Sequence, residues 1–292
     1  MKDRVGSNTL FYIVVYLIAI IGGIITLYPF LYIFSVSISD PQAVNRGEVY
    51  LWPIGLNFNS YKYVLRSKGI WMAYGNTIFY VVVGTICSIV ATVMAAYPLS
   101  RKSFCARKFF NFFIVFCMYF SGGLIPTYLL ITSMGFYNSR WVMIIPLLVA
   151  SYYIMICRSA FASLPEEVIE SAIVDGANDI QILLRIAVPL ITPTLAVLVL
   201  YYAVGRWNNF FTPLLYISKQ ELQPLQVLLR RILIQSSQEL LAEEILKSED
   251  KGMVSLQVRY VTIVVSTLPI IMAYPFIQKY FVKGIMLGAV KG

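Results

Sequence analysis

A chain of 292 residues that is 59% hydrophobic and only 13% charged, with a mean hydropathy of +0.75, carries about half the charge of an ordinary soluble domain. That leaves too little polar surface to cover one or two globular domains in water, so the composition is that of an integral membrane protein. The formal charge is +9 and there is no histidine, which removes the commonest general base, the serine- and cysteine-type triads and the usual metal ligand.

A helix crossing the hydrocarbon core needs about 20 mostly apolar residues. Six runs meet that length, at 10–34, 71–98, 109–131, 141–161, 194–217 and 259–282, and predict an all-α integral membrane protein with six transmembrane helices. The first run follows Lys2 and Arg4 and, at about 25 residues, is too long for a signal-peptide core, so it reads as a retained helix. The segment from Ser35 to Ile70 holds Pro41, Trp52, Pro53 and scattered charges but no interpretable motif, and is expected to be docking surface. Between runs two and three, Leu99 to Lys108 carries Arg101, Lys102, Arg107 and Lys108 with no acid. A short basic loop belongs in the cytoplasm. Although the gross tally of Lys and Arg is even on the two sides, Lys2, Arg4, Lys279, Lys283 and Lys291 point the same way, which puts both termini inside.

No acid occurs between Glu48 and Glu166 or within any of the six runs. Proton- or sodium-driven carriers need intramembrane carboxylates, and inverted-repeat carriers show paired Gly- or Pro-broken segments; neither is present. Cys87, Cys105, Cys117 and Cys157 form no CxxC pair and are expected to be small buried apolar side chains, so no metal site is predicted.

The segment 163–190 between runs four and five reads as two short helices joined at a glycine. Ser163 is expected to cap the first helix, with Pro165 in its opening turn and Glu166 and Glu167 where the helix dipole favours anions. Val168, Ala172 and Ile173 are expected on its apolar face, with Glu167, Glu170 and Ser171 elsewhere. Gly176 permits a positive φ, after which Asn178 or Asp179 can cap a second helix ending before Pro189. The spacing Glu170-Ser171-Ala172, three residues, Gly176, nine residues, Ile186, one residue, Val188-Pro189 resembles the EAA loop of ABC importer permeases, departing from it at Ser171 and Val188. Gly122-Gly123-Leu124-Ile125-Pro126, Trp207-Asn208 and the tail Gly284 to Gly292 are similar to carbohydrate-uptake permeases, nearest the second maltose-type permease and the permeases for aldouronate-like and other complex saccharides.

That resemblance implies a single transmembrane permease domain over 1–292 in the bacterial cell membrane, with 163–190 as the cytoplasmic coupling loop and 218–258 as an extracytoplasmic loop. It implies that the coupling loop docks on a separate ATPase through Glu167, Glu170, Ser171, Ala172, Asp175, Gly176 and Ala177. The implied partners are an ATPase dimer, a second and different permease, and an extracytoplasmic saccharide-binding protein, with lipid around them and no nucleic acid. No G-x-x-x-x-G-K-[ST] loop occurs in this chain, so no cofactor is expected here, and ATP and Mg fall to the partner ATPase. Arg206, Trp207, Asn208 and Asn209 lie at membrane depth, where a charge must face protein or water, and read equally as a lining of the substrate path or as interhelical packing. By resemblance the loop tip bearing Glu243, Glu244, Lys247, Glu249 and Asp250 contacts the binding protein, while Leu225, Leu228, Leu229 and Ile232 also suit an interfacial helix. The expected function is a transport subunit for oligosaccharides or polysaccharide fragments and not an enzyme. The alternatives are an importer of a non-sugar solute and a membrane-embedded enzyme.

Overall fold

A computed structural model of the chain describes residues 3–234 and 256–272, and among them every regular element is helical. In chain order these are α1 (Asp3–Ile38), α2 (Pro41–Asn45), α3 (Asn59–Arg66), α4 (Lys68–Ser100), α5 (Arg107–Tyr119), α6 (Leu124–Ser133), α7 (Ser151–Ala162), α8 (Glu166–Val174), α9 (Asp179–Ile182), α10 (Val188–Leu190), α11 (Thr192–Trp207), α12 (Phe211–Tyr216), α13 (Leu225–Ile234) and α14 (Leu256–Met272). The chain divides into two compact units, Met1–Ile70 with Arg231–Leu268, and Trp71–Arg230 with Pro269–Gly292.

In the first unit, α1 is apolar all round and its side chains from Phe11 to Leu31 are almost all exposed. A helix of that kind, uncovered by the rest of its own chain, has the composition of one that lies in lipid. Its end is fixed by a buried polar network. Gln257 donates to the carbonyls of Ser37 and Ser39 and accepts from the Ser60 hydroxyl at 2.7 Å, and Ser35 donates to the Leu51 carbonyl at 2.6 Å. Every one of these groups is partnered, which is the condition for burying it.

The second unit has two apolar clusters. One joins Val93, Ala96 and Leu99 of α4 to Cys157 and Phe161 of α7, Ile169 and Ala172 of α8, and Ile182, Ile191 and Leu198 beyond. The other gathers Tyr80, Ile131, Val142, Met143, Tyr216 and Ile217.

Among the described residues two helices are long and apolar enough to cross a bilayer, Phe11–Ile38 and Lys68–Ser100, and up to four spans result if each of two bent pairs counts as one. The expected run 109–131 is broken: α5 and α6 meet at 114°. Gly123 at the break has φ +84° and its amide is held by the Ser121 hydroxyl at 3.1 Å, a conformation only glycine adopts without strain. The expected span 141–161 is not one helix. Arg140–Met143 is a single 3₁₀ turn, Pro146 follows in irregular chain, and α7 has only 12 residues. The run 194–217 ends as helix at Trp207, and α12 restarts after Asn208, Asn209 and Phe210. The sixth run is described as far as Met272. Two cysteines also depart from expectation: Cys157 is buried and Cys87 half-buried, but Cys105 in the α4–α5 turn and Cys117 on α5 are exposed, because neither faces the apolar clusters of this chain.

Candidate functional site

The segment 163–190 forms a helix, a tight turn and a second helix packed on the α4–α7 cluster. Ser163 does not cap α8. Its hydroxyl donates back to the Ala160 carbonyl at 2.8 Å, because α7 runs to Ala162 and makes Ser163 its own terminal residue. Pro165 precedes α8, and Glu166 opens it while pairing with Lys102 at 2.5 Å. Lys102, by hydrogen bond and charge, holds the Glu166 carboxyl below the usual carboxylate range.

Both partners are exposed, so the pair tethers weakly and is screened by salt. Its contribution is present above the ordinary carboxylate pKa and is lost as pH falls through the depressed folded value. Lys102→Gln is expected to return the Glu166 titration to its ordinary position, read by carbon-13 NMR of labelled glutamate; an unmoved titration would assign the shift to another cause.

The buried face of α8 is Ile169 with Ala172, not the expected Val168, Ala172 and Ile173. The two buried residues are three apart and join the apolar cluster shared by α4 and α7, whereas Val168 and Ile173 are exposed. Glu167, Glu170, Ser171, Asp175 and Gly176 are exposed and Ala177 is half-buried. Gly176 has φ +79° and closes the helix by donating to the Ile173 carbonyl at 3.0 Å, with Ala177 donating to that of Ala172 at 3.0 Å.

Asn178 then caps α9 in a reciprocal box with Gln181, at 2.8 and 3.0 Å. The N-x-x-Q spacing of Asn178 and Gln181 is the sequence signal for this box, and it selects Asn178 over Asp179 as the cap. The helical stretch does not end before Pro189. A π-helical turn at Leu183–Ala187 loosens the ladder, so the missing amide of Pro189 is tolerated and helix continues to Leu190 before bending 82° into α11. The loop exposes Val174 at 86%, Ile180 at 69% and Leu184 at 60%. These apolar side chains stand clear of their own chain.

The four residues at the end of α11 are separated by their roles. Arg206 is 7% exposed and donates to the Met143 carbonyl at 2.6 Å, the Ser88 hydroxyl at 2.7 Å and the Leu147 carbonyl at 2.9 Å. It thereby supplies donors to the irregular chain around Pro146, where helical amides cannot. Gly84 makes the room, since a Cβ there would lie 2.5 Å from an Arg206 nitrogen. Nothing in the sequence flags Gly84 or Ser88 for this task.

Asn209 accepts from the Thr212 amide at 3.1 Å and donates to its hydroxyl at 3.0 Å, starting α12. Trp207 meets Tyr74 edge-on at 6.4 Å and keeps a buried indole N–H without a partner, while Asn208 is exposed at the helix end. Of this cluster, the Trp207 indole N–H and the Arg206 Nε–H are buried without a partner, and the Asn208 side chain is exposed.

Glu243, Glu244, Lys247, Glu249 and Asp250 lie outside the described residues. The start of that loop is docked within the second unit: Asn76 donates to the Glu221 and Gln223 carbonyls, Tyr80 to that of Leu222, and the Leu225 amide donates to Thr77. Leu225 is therefore buried in protein and does not lie on a membrane surface.

The profile of the binding-protein-dependent transport system inner membrane component family matches residues 69–287. Protein LplC of Bacillus subtilis is 37% identical over 94% of this chain and 93% of its own. The polygalacturonan/rhamnogalacturonan transport system permease protein YtcP of the same organism is 34% identical over 98% of this chain and 100% of its own. A chain from the crystal structure of a bacterial ABC transporter involved in the import of the acidic polysaccharide alginate superposes with a TM-score of 0.87 at 36% identity, covering 94% of this chain and 98% of that one.

Proposed function

This chain belongs to the binding-protein-dependent transport system inner membrane component family, and from that premise we propose that it is the permease subunit of an ATP-driven importer of oligosaccharides or polysaccharide fragments. It forms half of the translocation path as a six-span domain over residues 1–292 with both termini in the cytoplasm. The other half is a second, different permease. ATP and Mg sit on a partner ATPase dimer, and an extracytoplasmic protein delivers the saccharide to the loop 218–258. The chain performs no covalent chemistry of its own.

The observation that carries this reading is the segment 166–190. It combines a helix with acids at its start, a glycine turn at φ +79° and a capped second helix. It also leaves Val174, Ile180 and Leu184 uncovered. Such a knob fits a cleft on another protein, and its inner face rests on the apolar cluster shared by α4 and α7, so a push on it reaches the membrane helices. The saccharide class is supported by the polygalacturonan/rhamnogalacturonan and alginate transporters among the similar proteins. Both of those names denote acidic polymers, so acidic fragments come first among candidate cargoes. Arg206 is not the first group to recognise their charge, since both terminal nitrogens of its guanidinium are engaged with Met143, Leu147 and Ser88 and only its buried Nε is left without a partner.

The complex reconstituted with its ATPase and binding protein is expected to hydrolyse ATP several-fold faster with oligogalacturonate or another oligosaccharide than without. Silence with acidic and neutral saccharides alike, and stimulation by a peptide or other solute, would overturn the saccharide assignment. Asn208→Ala is expected to reduce the saccharide-stimulated rate more than the basal one; equal reduction of both would assign Asn208 to packing.

A further inference from the structure

The turn between α4 and α5 borders an open cavity of about 640 Å³ lined by Lys102, Arg107, Lys108 and Arg158, with Phe104, Cys105 and Asn111. Four cations and no acid surround it. They converge from separate segments: Lys102 from the turn, Arg107 and Lys108 from the first residues of α5, and Arg158 from α7, where its Nε donates to the Leu99 carbonyl at 3.2 Å. Fixing the orientation of a membrane protein requires basic charge in the loop. It does not require a distant helix to contribute an arginine to the same cavity.

Two further features restrict the ligand. The helix that supplies Arg107, Lys108 and Asn111 continues at once into Phe109, Phe112, Phe113 and Phe116, all exposed, so the cationic site opens onto an uncovered apolar rod. Asn111, set among the four cations, keeps a buried side-chain oxygen with no hydrogen-bond partner. The complementary molecule is an amphiphile with an anionic head, an apolar tail and a hydroxyl donor on the head. A free anion uses only the first of these.

We propose that this cavity binds the headgroup of an anionic phospholipid of the phosphatidylglycerol type, with its acyl chains lying along α5. The phosphodiester engages Arg107, Lys108 and Arg158, and a glycerol hydroxyl meets Asn111. Lys102 lies on this wall while paired with Glu166 of α8, so an occupied site gives Lys102 a second anionic partner and connects the lipid to the loop 163–190. The site itself stands on the membrane location of the chain and is independent of the cargo.

The full-length protein in mild detergent, titrated with phosphatidylglycerol or phosphatidylcholine and read by native mass spectrometry, is expected to retain the anionic lipid preferentially. Each cation near a headgroup is worth about fivefold in binding, so Arg107→Gln with Lys108→Gln should weaken retention roughly 25-fold. Arg107→Lys with Lys108→Arg should preserve it. Lys62→Gln with Arg66→Gln, which removes two exposed cations of α3, should leave it unchanged. No preference for phosphatidylglycerol, or an equal loss from the α3 pair, would overturn the site. Competition by free glycerol phosphate at the same concentration as lipid would reassign it to a soluble anion. Unchanged lipid retention with loss of the ATPase from the purified complex would reassign it to protein docking.

Discussion

Gly176→Pro is expected to abolish saccharide uptake while leaving the binding protein's affinity for its ligand unchanged. Gly176 sits at φ +79° and its amide donates to the Ile173 carbonyl. Proline fixes φ near −65° and has no amide, so the substitution removes both the turn and the closing bond. The α8 helix would keep its anchor, Ile169 and Ala172 on the α7 cluster, and the change would fall on the direction in which Asn178 and α9 leave it. Gly176→Val is the graded version. A left-handed conformation costs a branched residue about 1–2 kcal/mol, roughly a tenfold shift in the population of the correct turn. Uptake should follow that order: glycine, then valine, then proline. Glu170→Ala tests the same joint without backbone strain, since Glu170 is exposed and its loss should spare folding while uncoupling transport from ATP hydrolysis. Normal uptake in the proline variant, with the complex assembled in the membrane, would remove Gly176 from any coupling role.

How much of this was legible in the sequence varied with the kind of information required. The turn at Gly176 and a cap at Asn178 or Asp179 are legible because both are local, and the N-x-x-Q pair that selects Asn178 also spans only four residues. The buried face of α8 was misread for a physical reason. In a nine-residue helix with Val168, Ile169, Ala172, Ile173 and Val174, apolar residues populate more than one face. Only the position of the α4–α7 cluster decides that Ile169 turns inward while Val174 is left exposed.

Hydropathy likewise found the apolar runs but not their breaks. A window sum counts side chains and does not ask where backbone amides and carbonyls are satisfied. Gly123, Pro146 and Asn208 each interrupt a run that composition reads as continuous. Most of the site residues matched by resemblance lie on the exposed side of the 163–190 loop. The neighbours that give Arg206 its role, 59, 63 and 118 residues away, had no sequence signal.

Arg206→Leu is expected to destabilise the protein whatever cargo is offered. Three hydrogen bonds are lost, to Met143, Leu147 and Ser88, and two of the abandoned acceptors are carbonyls in chain that has no helical amides to spare. At about 1 kcal/mol per bond in a membrane protein the loss is roughly 3 kcal/mol, which corresponds to a fall of about 6–12 °C in Tm for a chain of this size. Arg206→Lys should recover part of it, because an ammonium can reach one acceptor but lacks the planar fork that spans several. Gly84→Val supplies the independent arm. A Cβ at that position would lie 2.5–2.8 Å from three guanidinium atoms, so the arginine must leave its seat although its charge is retained. A similar fall in Tm in Arg206→Leu and Gly84→Val would locate the effect in the seating of the guanidinium and not in its charge. The opposite pattern would be an unchanged Tm in both variants together with selective loss of acidic-saccharide uptake. It would mean that the guanidinium leaves Met143 and Leu147 during the cycle to meet the cargo, and that the bonds described here belong to one state of transport.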